Sequence, residues 1–487
     1  MHRTTFAQLD HASRVIAAQL QRDGVRAGAN VLFFAPPSRA LYAALVATWR
    51  IGAVAMFVEP SAGRETLDSA CALSPPMALI ASPKAHLLRL ASPALRAIPR
   101  KYSTIGWVPG TSALGRSGDT APNVAIAVVA PDAAALLTFT SGSTGQPKGA
   151  IRTHAILRAQ LQALSGDVAA GRGECEMVAL PIVVLLNLAN GVQTVLPHAD
   201  LRRPGAIDAF PVLEQIREGR ITRITASPAF LERLADSPHA SMALGGLRTV
   251  VTGGGPVFPD LVDRLRQLAP AATIVSVYGS TEAEPIAHVK QSEVSEADRS
   301  AMERGSGLLA GVPDPAVRLR IVKSSPGIPL VVANSAELNA ITLGGAAVGE
   351  IMVSGAHVVT SYVNGIGEAE TKCMVDGIVW HRTGDLGYLD DAGRLWLLGR
   401  AGAVAIDDAR APFYPFAVEC AARLRLGVHR VAALVHEGRR VLVLEGQGGG
   451  TSAPDAARRA LAWAELDDVR LVARIPVDRR HNSKVDY

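Results

Sequence analysis

Residues 140–149 form the stretch of the sequence whose side chains are best suited to chemistry. These ten residues contain three glycines, four hydroxyl side chains and Lys148. Glycine lets consecutive backbone N–H groups point at one centre, and the hydroxyls and the lysine add donors and positive charge. The composition predicts a loop that binds a polyphosphate, and a solvated Ser/Gly linker is the alternative. The common phosphate loop is excluded because its pattern requires glycine at Pro147.

Two further polar clusters follow predicted strands in the middle of the chain. Gly254, Gly255 and Pro256 could lie flat against a planar ligand, although glycine at a strand end is more often a simple turn. The second cluster comprises Tyr278, Gly279, Ser280, Thr281 and Glu282. It offers an aromatic ring for stacking, two hydroxyls and a carboxylate that could hold Mg²⁺ against phosphate oxygens. The alternative makes the tyrosine a core aromatic and the glutamate a helix-start carboxylate.

The last two candidate positions lie toward the C-terminus. Asp385 is flanked by glycines, and its carboxylate could accept both hydroxyls of a ribose, although an Asp in a hairpin turn is the alternative. Arg400 follows a strand-like segment at 394–398. Lys484 lies three residues from the end of the chain, where a lysine is usually solvated.

The hydrophobic periodicity predicts the elements that hold these clusters. In the first part of the chain, helices are predicted over 6–20 and 38–51, with strands over 31–35, 53–58 and 77–81. Alternation of strands and helices predicts a parallel sheet covered by helices. Residues 94–123 lack periodicity and are predicted to form a surface connection.

The pattern changes in the second half of the sequence. The α/β alternation continues through strands at 221–226, 247–252 and 274–277 and a helix over 258–268. From about residue 315, shorter strands at 317–322, 330–333 and 349–354 predict an antiparallel β region. A boundary near Arg400 would separate a large N-terminal domain, residues 1–399, from a small α/β C-terminal domain, residues 400–487.

Composition excludes several classes of protein. The chain of 487 residues is 48% apolar and has a formal charge of only +5 without a basic run, which argues against a nucleic-acid partner. The segment 177–197 is as long as a membrane span, but Pro181 and Asn187 interrupt it and favour a buried strand and helix lining a cavity. The four cysteines are widely scattered: Cys71, Cys175, Cys373 and Cys420. We therefore expect neither a disulfide framework nor a zinc site, and we expect a cytoplasmic location.

In their order along the chain, these clusters resemble the adenylate-forming superfamily of acyl-CoA synthetases, luciferases and peptide-synthetase adenylation domains. The resemblance implies layered α/β subdomains, a small β-barrel-like region and a small, mobile C-terminal domain. It also implies that ATP and Mg²⁺ are the cofactors. It assigns the ATP phosphates to Thr140, Ser141, Gly142, Ser143, Thr144, Gly145 and Lys148.

The remaining roles come from the same resemblance. The adenine would border Gly254, Gly255 and Pro256 and stack on Tyr278, in the segment that continues through Gly279 and Ser280. Thr281 would contact the α-phosphate, Glu282 would bind Mg²⁺, and Asp385 with Arg400 would hold the ribose. Lys484 would reach the carboxylate and the α-phosphate during adenylation. The catalytic set is therefore Lys148, Thr281, Glu282 and Lys484.

Departures from the usual superfamily motifs indicate the branch. Ser483 stands where glycine normally precedes the lysine, Gly402 stands at the usual pivot residue, and residues 182–186 replace the usual Phe-His pair. Several stretches, among them 254–259 and 379–382, are most similar to the β-lactone synthetases of bacterial olefin biosynthesis. The apolar segment 182–188 would then line a dry substrate pocket, with ordinary core packing as the alternative.

The resemblance implies ATP-dependent conversion of a hydrophobic or β-hydroxy fatty acid to its acyl-AMP, with release of pyrophosphate and closure to a β-lactone. The first alternative is a ligase that passes the acyl group to CoA or an acyl carrier protein, and the second is a degenerate nucleotide-binding protein. The expected partners are a small-molecule carboxylic acid and, peripherally, other enzymes of the same pathway.

Overall fold

A computed structural model of the chain describes residues 3–59, 63–115, 122–141, 147–164, 166, 168–171, 173–323, 327–407, 410–446 and 453–476. The chain divides into two compact units, one formed by residues 1–160 and 359–369 and the other by residues 161–358 and 370–487. All four cysteines are free thiols. Over the described ranges, none of the helices combines the length and the apolar character that crossing a membrane requires.

The first unit is built on one sheet with helices beside its strands. Its strands are β1 (Asn30–Phe34), β2 (Val54–Val58), β3 (Ala78–Ala81), β4 (Arg100–Ser103), β5 (Ser112–Ala113), β6 (Ala134–Ser141) and β7 (Pro147–Thr153). Its helices are α1 (Phe6–Arg22), α2 (Arg39–Arg50), α3 (Gly63–Leu73), α4 (Pro83–His86), α5 (Pro93–Ala97) and α6 (His154–Ala163), and α6 continues into the second unit. The strand order is β5-β4-β3-β1-β2-β6-β7.

Local sequence explains most of this unit. Strand β1 is apolar and buried along its centre, and α1 starts at a capping box between Thr5 and Gln8. The predicted parallel pairing is confirmed for β1, β2, β3 and β6, whereas β7 returns antiparallel to β6. The surface connection predicted over 94–123 is wrong: it contains most of α5, strand β4 and the edge strand β5. These strands are too short to show a period, and they are defined by pairing, β4 with β3 and β5 with β4.

The second unit contains a twelve-stranded sheet. Its strands are β8 (Cys175–Val178), β9 (Gln193–Val195), β10 (Arg223–Ala226), β11 (Thr249–Gly253), β12 (Thr273–Tyr278), β13 (Ala287–Lys290), β14 (Leu308–Pro313), β15 (Arg318–Val322), β16 (Gly349–Ser354), β17 (Lys372–Val375), β18 (Ile378–Leu389) and β19 (Leu395–Arg400). The helices along this part of the chain are α7 (Pro181–Asn190), α8 (Ala209–Glu218), α9 (Pro228–Ala235), α10 (Ala240–Leu244), α11 (Pro259–Leu268), α12 (Glu296–Glu303), α13 (Ser335–Ile341) and α14 (Glu368–Thr371).

This sheet changes direction along its width. Strands β9, β8, β10, β11 and β12 are parallel, and from β13 onward the pairing is antiparallel, as predicted for the region after residue 315. The strand predicted over 330–333 is wrong, because this segment forms no ladder. Val332 is instead buried against Trp380 and Met352 as an irregular, apolar part of the core. The predicted strand and helix at 177–197 are confirmed by β8 and α7.

The C-terminal part of the second unit has its own small α/β layer. It comprises β20 (Ala405–Asp407), β21 (Arg410–Phe413), α15 (Pro415–Leu426), β22 (Val431–His436), β23 (Arg439–Glu445), α16 (Ala453–Ala460) and β24 (Asp468–Val472). Arg423 of α15 is buried and donates to Asp260 of α11 and Glu232 of α9 at 2.7–3.0 Å. The domain boundary at Arg400 and the mobility of the C-terminal domain stay predictions.

Candidate active site

The candidate phosphate loop connects β6 to β7. Thr140 pairs with Lys148, and Ser141, the last residue of β6, pairs with Pro147. Gly142, Ser143, Thr144 and Gly145 lie outside the described residues, so their phosphate contacts stay predictions. Residues 147–149 were predicted as part of the loop and belong instead to β7, because the edge of the sheet extends one strand beyond β6.

Gly149 has a packing role in this hairpin. A Cβ atom at this position would lie 2.6 Å from Cε1 of Phe139 and 2.9 Å from Cγ2 of Val363. Strand β7 can therefore lie against these two buried side chains only with glycine here. On the other edge of β7, Ala150 forms a bridge with Tyr362, which brings residues 359–369 alongside the strand.

The residues beside β7 leave a space that the Lys148 side chain occupies, and we call this space the seat of Lys148. Gly367 has φ of +87°, and a Cβ there would lie 2.4 Å from Cε, 2.7 Å from Cδ and 2.8 Å from Nζ of Lys148. The lysine therefore lies directly across the bare Cα of this glycine and is only 9% exposed. Gly367 had no role in the sequence-based site. The only signal is the pair of glycines at 365 and 367, far along the chain.

In the second unit, two candidate clusters lie at the carboxyl ends of adjacent parallel strands. Strands β11 and β12 pair in register, with Gly253 opposite Val277. A Cβ at Gly253 would lie 2.7 Å from the Val277 carbonyl oxygen, and Gly254 turns the chain with φ of +78°. The turn that continues through Gly255 and Pro256 is thus a neighbour of Tyr278. Carboxyl ends of parallel strands are the usual ligand edge of such a sheet.

Tyr278, Asp385 and Arg400 form one hydrogen-bonded group. The Tyr278 hydroxyl donates to Oδ2 of Asp385 at 2.7 Å, and Nη1 of Arg400 donates to Oδ1 at 3.0 Å. Burial, followed by the adjacent Asp385 carboxylate, raises the pKa of Tyr278 well above its usual value. The hairpin-turn alternative for Asp385 is wrong, because the residue lies within β18 opposite Arg400 of β19.

A buried ion pair supports the backbone beside Asp385. Glu350 accepts from Nη2 of Arg382 at 2.7 Å, and both side chains are 4% exposed. The other Glu350 oxygen accepts from the Gly384 N–H at 3.2 Å, and the Asp385 N–H donates to the Thr383 hydroxyl at 3.0 Å. These bonds fix the strand from which the Asp385 carboxylate projects.

Glu282 lies in the tight loop between β12 and β13 that also contains Gly279 and Thr281. The Ser280 hydroxyl accepts from the N–H groups of Glu282 and Ala283, each at 3.2 Å. The helix-start alternative for Glu282 is wrong, because no helix begins at this loop. Among the described residues, no group of three or more His, Cys, Asp or Glu side chains could hold a metal ion. A metal here would depend on Glu282 and on ligand oxygens, which suits Mg²⁺ bound to a nucleotide.

His381 is a buried group without a role in the sequence-based site. It is 3% exposed, and its Nδ1 lies 3.1 Å from the Thr371 carbonyl oxygen, which makes Nδ1 the donor in the neutral ring. Burial and the positive charge of Lys372 lower its pKa to about 3, although the Glu282 carboxylate opposes this shift. The imidazole is therefore neutral at physiological pH. Lys484, by contrast, lies outside the described residues, and its role stays a prediction.

Comparison with known proteins identifies the family. The profile of the family described as AMP-binding enzyme matches residues 1–363, about three quarters of the chain. The chain belongs to the AMP-binding enzyme family. This membership confirms the predicted class, an ATP-dependent adenylate-forming enzyme that acts on a small-molecule acid. The degenerate nucleotide-binding alternative loses its support.

Three known proteins are similar to this AMP-binding enzyme. An olefin beta-lactone synthetase of Stenotrophomonas maltophilia is 32% identical, with 99% of this chain and 89% of the relative covered. An indoleacetate--CoA ligase of Aromatoleum aromaticum is 29% identical, covering 85% of this chain and 77% of the ligase. The amide bond synthetase McbA of Marinactinospora thermotolerans superposes with a TM-score of 0.80 at 24% identity, covering 99% of this chain and 93% of McbA. The last likeness confirms the predicted fold class.

Proposed function

We propose that this AMP-binding enzyme adenylates a β-hydroxy fatty acid and closes the acyl-AMP to a β-lactone. The observation that carries the proposal is the 32% identity to an olefin beta-lactone synthetase over 99% of the chain. A match of this extent includes the strands that carry Tyr278 and Asp385 as well as helix α7. The motif departures at Gly402 and Ser483, noted in the sequence, support the same branch.

In the first step, a carboxylate oxygen attacks the α-phosphorus of ATP, the bond to the bridging oxygen breaks, and pyrophosphate leaves. In the first unit, Lys148 supplies positive charge for the leaving pyrophosphate. In the second unit, Tyr278 stacks on the adenine while Asp385 and Arg400 hold the ribose. Glu282 would hold Mg²⁺, which neutralises phosphate charge when bound. Preorganised charges of this kind stabilise the transition state without reorganisation.

In the second step, the β-hydroxyl oxygen attacks the carbonyl carbon of the acyl-AMP. The carbonyl–oxygen bond to AMP breaks, the hydroxyl proton is released, and a four-membered ring forms. Because the nucleophile and the electrophile belong to one molecule, the protein only needs to hold the acyl chain of the substrate folded in a pocket that excludes water. Helix α7, apolar from Ile182 to Leu186, suits the wall of such a place.

The alternative second step transfers the acyl group to a thiol of CoA or a carrier protein. It is favoured by the 29% identity to a CoA ligase, but over a smaller share of this chain. The lysine and glycine usual in the loop that follows Arg400 are absent from residues 404–409. That loop helps to build the pantetheine tunnel in CoA ligases of this superfamily.

Product analysis tests the proposal. The enzyme is incubated with ATP, Mg²⁺ and a β-hydroxy fatty acid, with and without CoA, and the products are separated by mass spectrometry. A lactone formed without CoA is expected. A thioester that requires CoA, with no lactone, would refute the second step and leave the first intact.

Two lysine variants test the first step. Lys484→Ala is expected to abolish acyl-AMP formation while ATP binding stays close to that of the unchanged enzyme. Lys148→Ala is expected to reduce the rate by ~10²–10³, the usual loss for one transition-state donor. Arg248→Ala, at an exposed arginine outside the proposed site, is the matched control and should have no effect. Full adenylation by Lys484→Ala would contradict its assigned role.

A further inference from the structure

Five large apolar side chains protrude from one corner of the first unit. They lie in the turn after α4 and in the loop after β4, and we call them the Trp107 surface: Leu87, Leu88, Leu90, Ile105 and Trp107. Leu90 is 79% exposed, Trp107 73% and Ile105 71%. Single exposed apolar residues are ordinary, but a group of this size on one corner calls for a partner.

Hydrogen bonds hold the two segments together as one surface. Nη2 of Arg89 donates to the Pro109 carbonyl at 2.6 Å, and its Nε donates to the His86 carbonyl at 3.3 Å. The His86 ring lies 3.0 Å from the Tyr102 carbonyl, at the start of the loop that carries Trp107. The leucines and the tryptophan therefore protrude from two segments that hydrogen bonds hold together.

Along the chain, the charged residues of the two segments that carry this surface are all basic, although Asp23 from another part of the chain accepts from the Tyr102 hydroxyl at 2.7 Å. Between Asp68 and Asp119 there is no acidic residue, while the same stretch contains Lys84, Arg89, Arg96, Arg100, Lys101 and Arg116. Asp68 itself accepts from the Ser92 hydroxyl and lies 3.8 Å from Nε of Arg64. Within the described part of the chain, the Arg89 guanidinium donates only to the carbonyls of His86, Gly110 and Pro109, so its positive charge is available to an outside anion.

We propose that the Trp107 surface docks this enzyme onto an anionic phospholipid bilayer. Tryptophan and leucine enter the interfacial zone of a bilayer, and neighbouring lysines and arginines reach the phosphate headgroups. A protein partner is the less suitable occupant, because a standard protein interface takes about 20–30 residues on each side. The proposal is independent of the reaction, since none of these residues belongs to the candidate active site.

Vesicle flotation tests the docking. The full chain is mixed with vesicles of phosphatidylcholine alone or of phosphatidylcholine with phosphatidylglycerol, at low and at physiological ionic strength. Flotation with the anionic vesicles only, decreasing with salt, is expected. No flotation with anionic vesicles at low salt, or equal flotation with both vesicle types, would overturn the proposal.

Matched variants separate vesicle binding through this surface from nonspecific vesicle binding. Trp107→Ser with Leu90→Ser is expected to weaken vesicle binding about tenfold or more. The control Ile126→Ser with Val128→Ser, which changes two other exposed residues of the same unit, should bind like the unchanged chain. Lys84→Glu is expected to weaken binding about fivefold or more, and Arg248→Glu should not. Equal binding by test and control variants would overturn the proposal.

Acyl-brominated lipids provide a second readout. They quench tryptophans that enter the bilayer, so quenching is expected in the unchanged chain and should be lost in Trp107→Phe. Quenching that survives this substitution would place another tryptophan at the membrane and contradict the assignment. Oligomers that require Trp107 without lipid, together with no vesicle binding, would instead assign the surface to a second copy of the chain.

Discussion

Gly367→Ala should impair adenylation by moving Lys148 rather than by unfolding the protein. The added methyl would lie 2.4 Å from Cε of Lys148, well inside van der Waals contact. The end of a lysine side chain moves easily, so the lysine should leave its seat while the backbone stays. We expect adenylation to fall by ~10²–10³, as for loss of one transition-state donor. Strain at φ of +87° adds about 1–2 kcal/mol of destabilisation.

A matched control separates the displacement of Lys148 from backbone strain. Gly377 has φ of +76° but nothing within 4 Å of its position for a Cβ. Gly377→Ala should therefore show a similar loss of unfolding free energy in urea and nearly normal adenylation. Acid-dependent exchange of labelled pyrophosphate into ATP measures the first step in each variant.

The double variant makes the test decisive. If Gly367 acts through Lys148, then Gly367→Ala should have no further effect in a Lys148→Ala background. Full additivity of the two losses would refute the seat, as would normal exchange by Gly367→Ala alone. A Gly367→Ala protein that fails to fold, while Gly377→Ala folds normally, would also contradict the reasoning, because the lysine is expected to yield first.

Three other substitutions have expected outcomes. Tyr278→Phe removes the hydrogen bond to the charged Asp385 carboxylate but keeps the aromatic ring, so the KM for ATP should rise about tenfold. An unchanged KM would contradict a role in ATP binding for the hydrogen bond between Tyr278 and Asp385. His381 is neutral when folded because its pKa is about 3, whereas the unfolded chain binds a proton below about pH 6.5. Between pH 6 and 5, the unchanged protein should therefore lose about 1.2 kcal/mol more unfolding free energy than His381→Asn, measured with urea at both pH values. Arg394 lowers the pKa of Asp298 to about 2, so this ion pair stabilises the fold above about pH 4 and the stabilisation is lost as the pH falls to 2. Arg394→Gln should remove about 2 kcal/mol of the pH dependence of the unfolding free energy over this range. Parallel acid-unfolding curves for the variant and the unchanged protein would contradict this expectation.

The parts of the site that follow strand ends could be predicted from the sequence. Tyr278 and Gly254 lie where short apolar runs end, and the parallel pairing of β11 and β12 makes these ends neighbours. Asp385 could be predicted as a candidate from its flanking glycines, but its partners could not, because they belong to other strands. Its bonds to Tyr278 and Arg400 depend on tertiary pairing that no local pattern encodes.

The seat of Lys148 could not be predicted for a related reason. Gly367 reaches β7 because Tyr362 forms a bridge with Ala150, a contact between distant parts of the sequence. The incorrect assignments have similar causes. Strands β4 and β5 are defined by pairing with a neighbour, and Val332 is apolar because it fills a core, not because it lies in a strand.

In the proposed reaction, the carboxylate is activated as its acyl-AMP and then attacked by the substrate's own β-hydroxyl. The most direct measurement uses a β-hydroxy fatty acid with ¹⁸O in both carboxylate oxygens, without CoA, and mass spectrometry of both products. This route should give one ¹⁸O in AMP and one ¹⁸O in the lactone, because one carboxylate oxygen leaves with AMP. A lactone that retains both labels beside unlabelled AMP would mean that the hydroxyl is activated instead, and would contradict activation of the carboxylate.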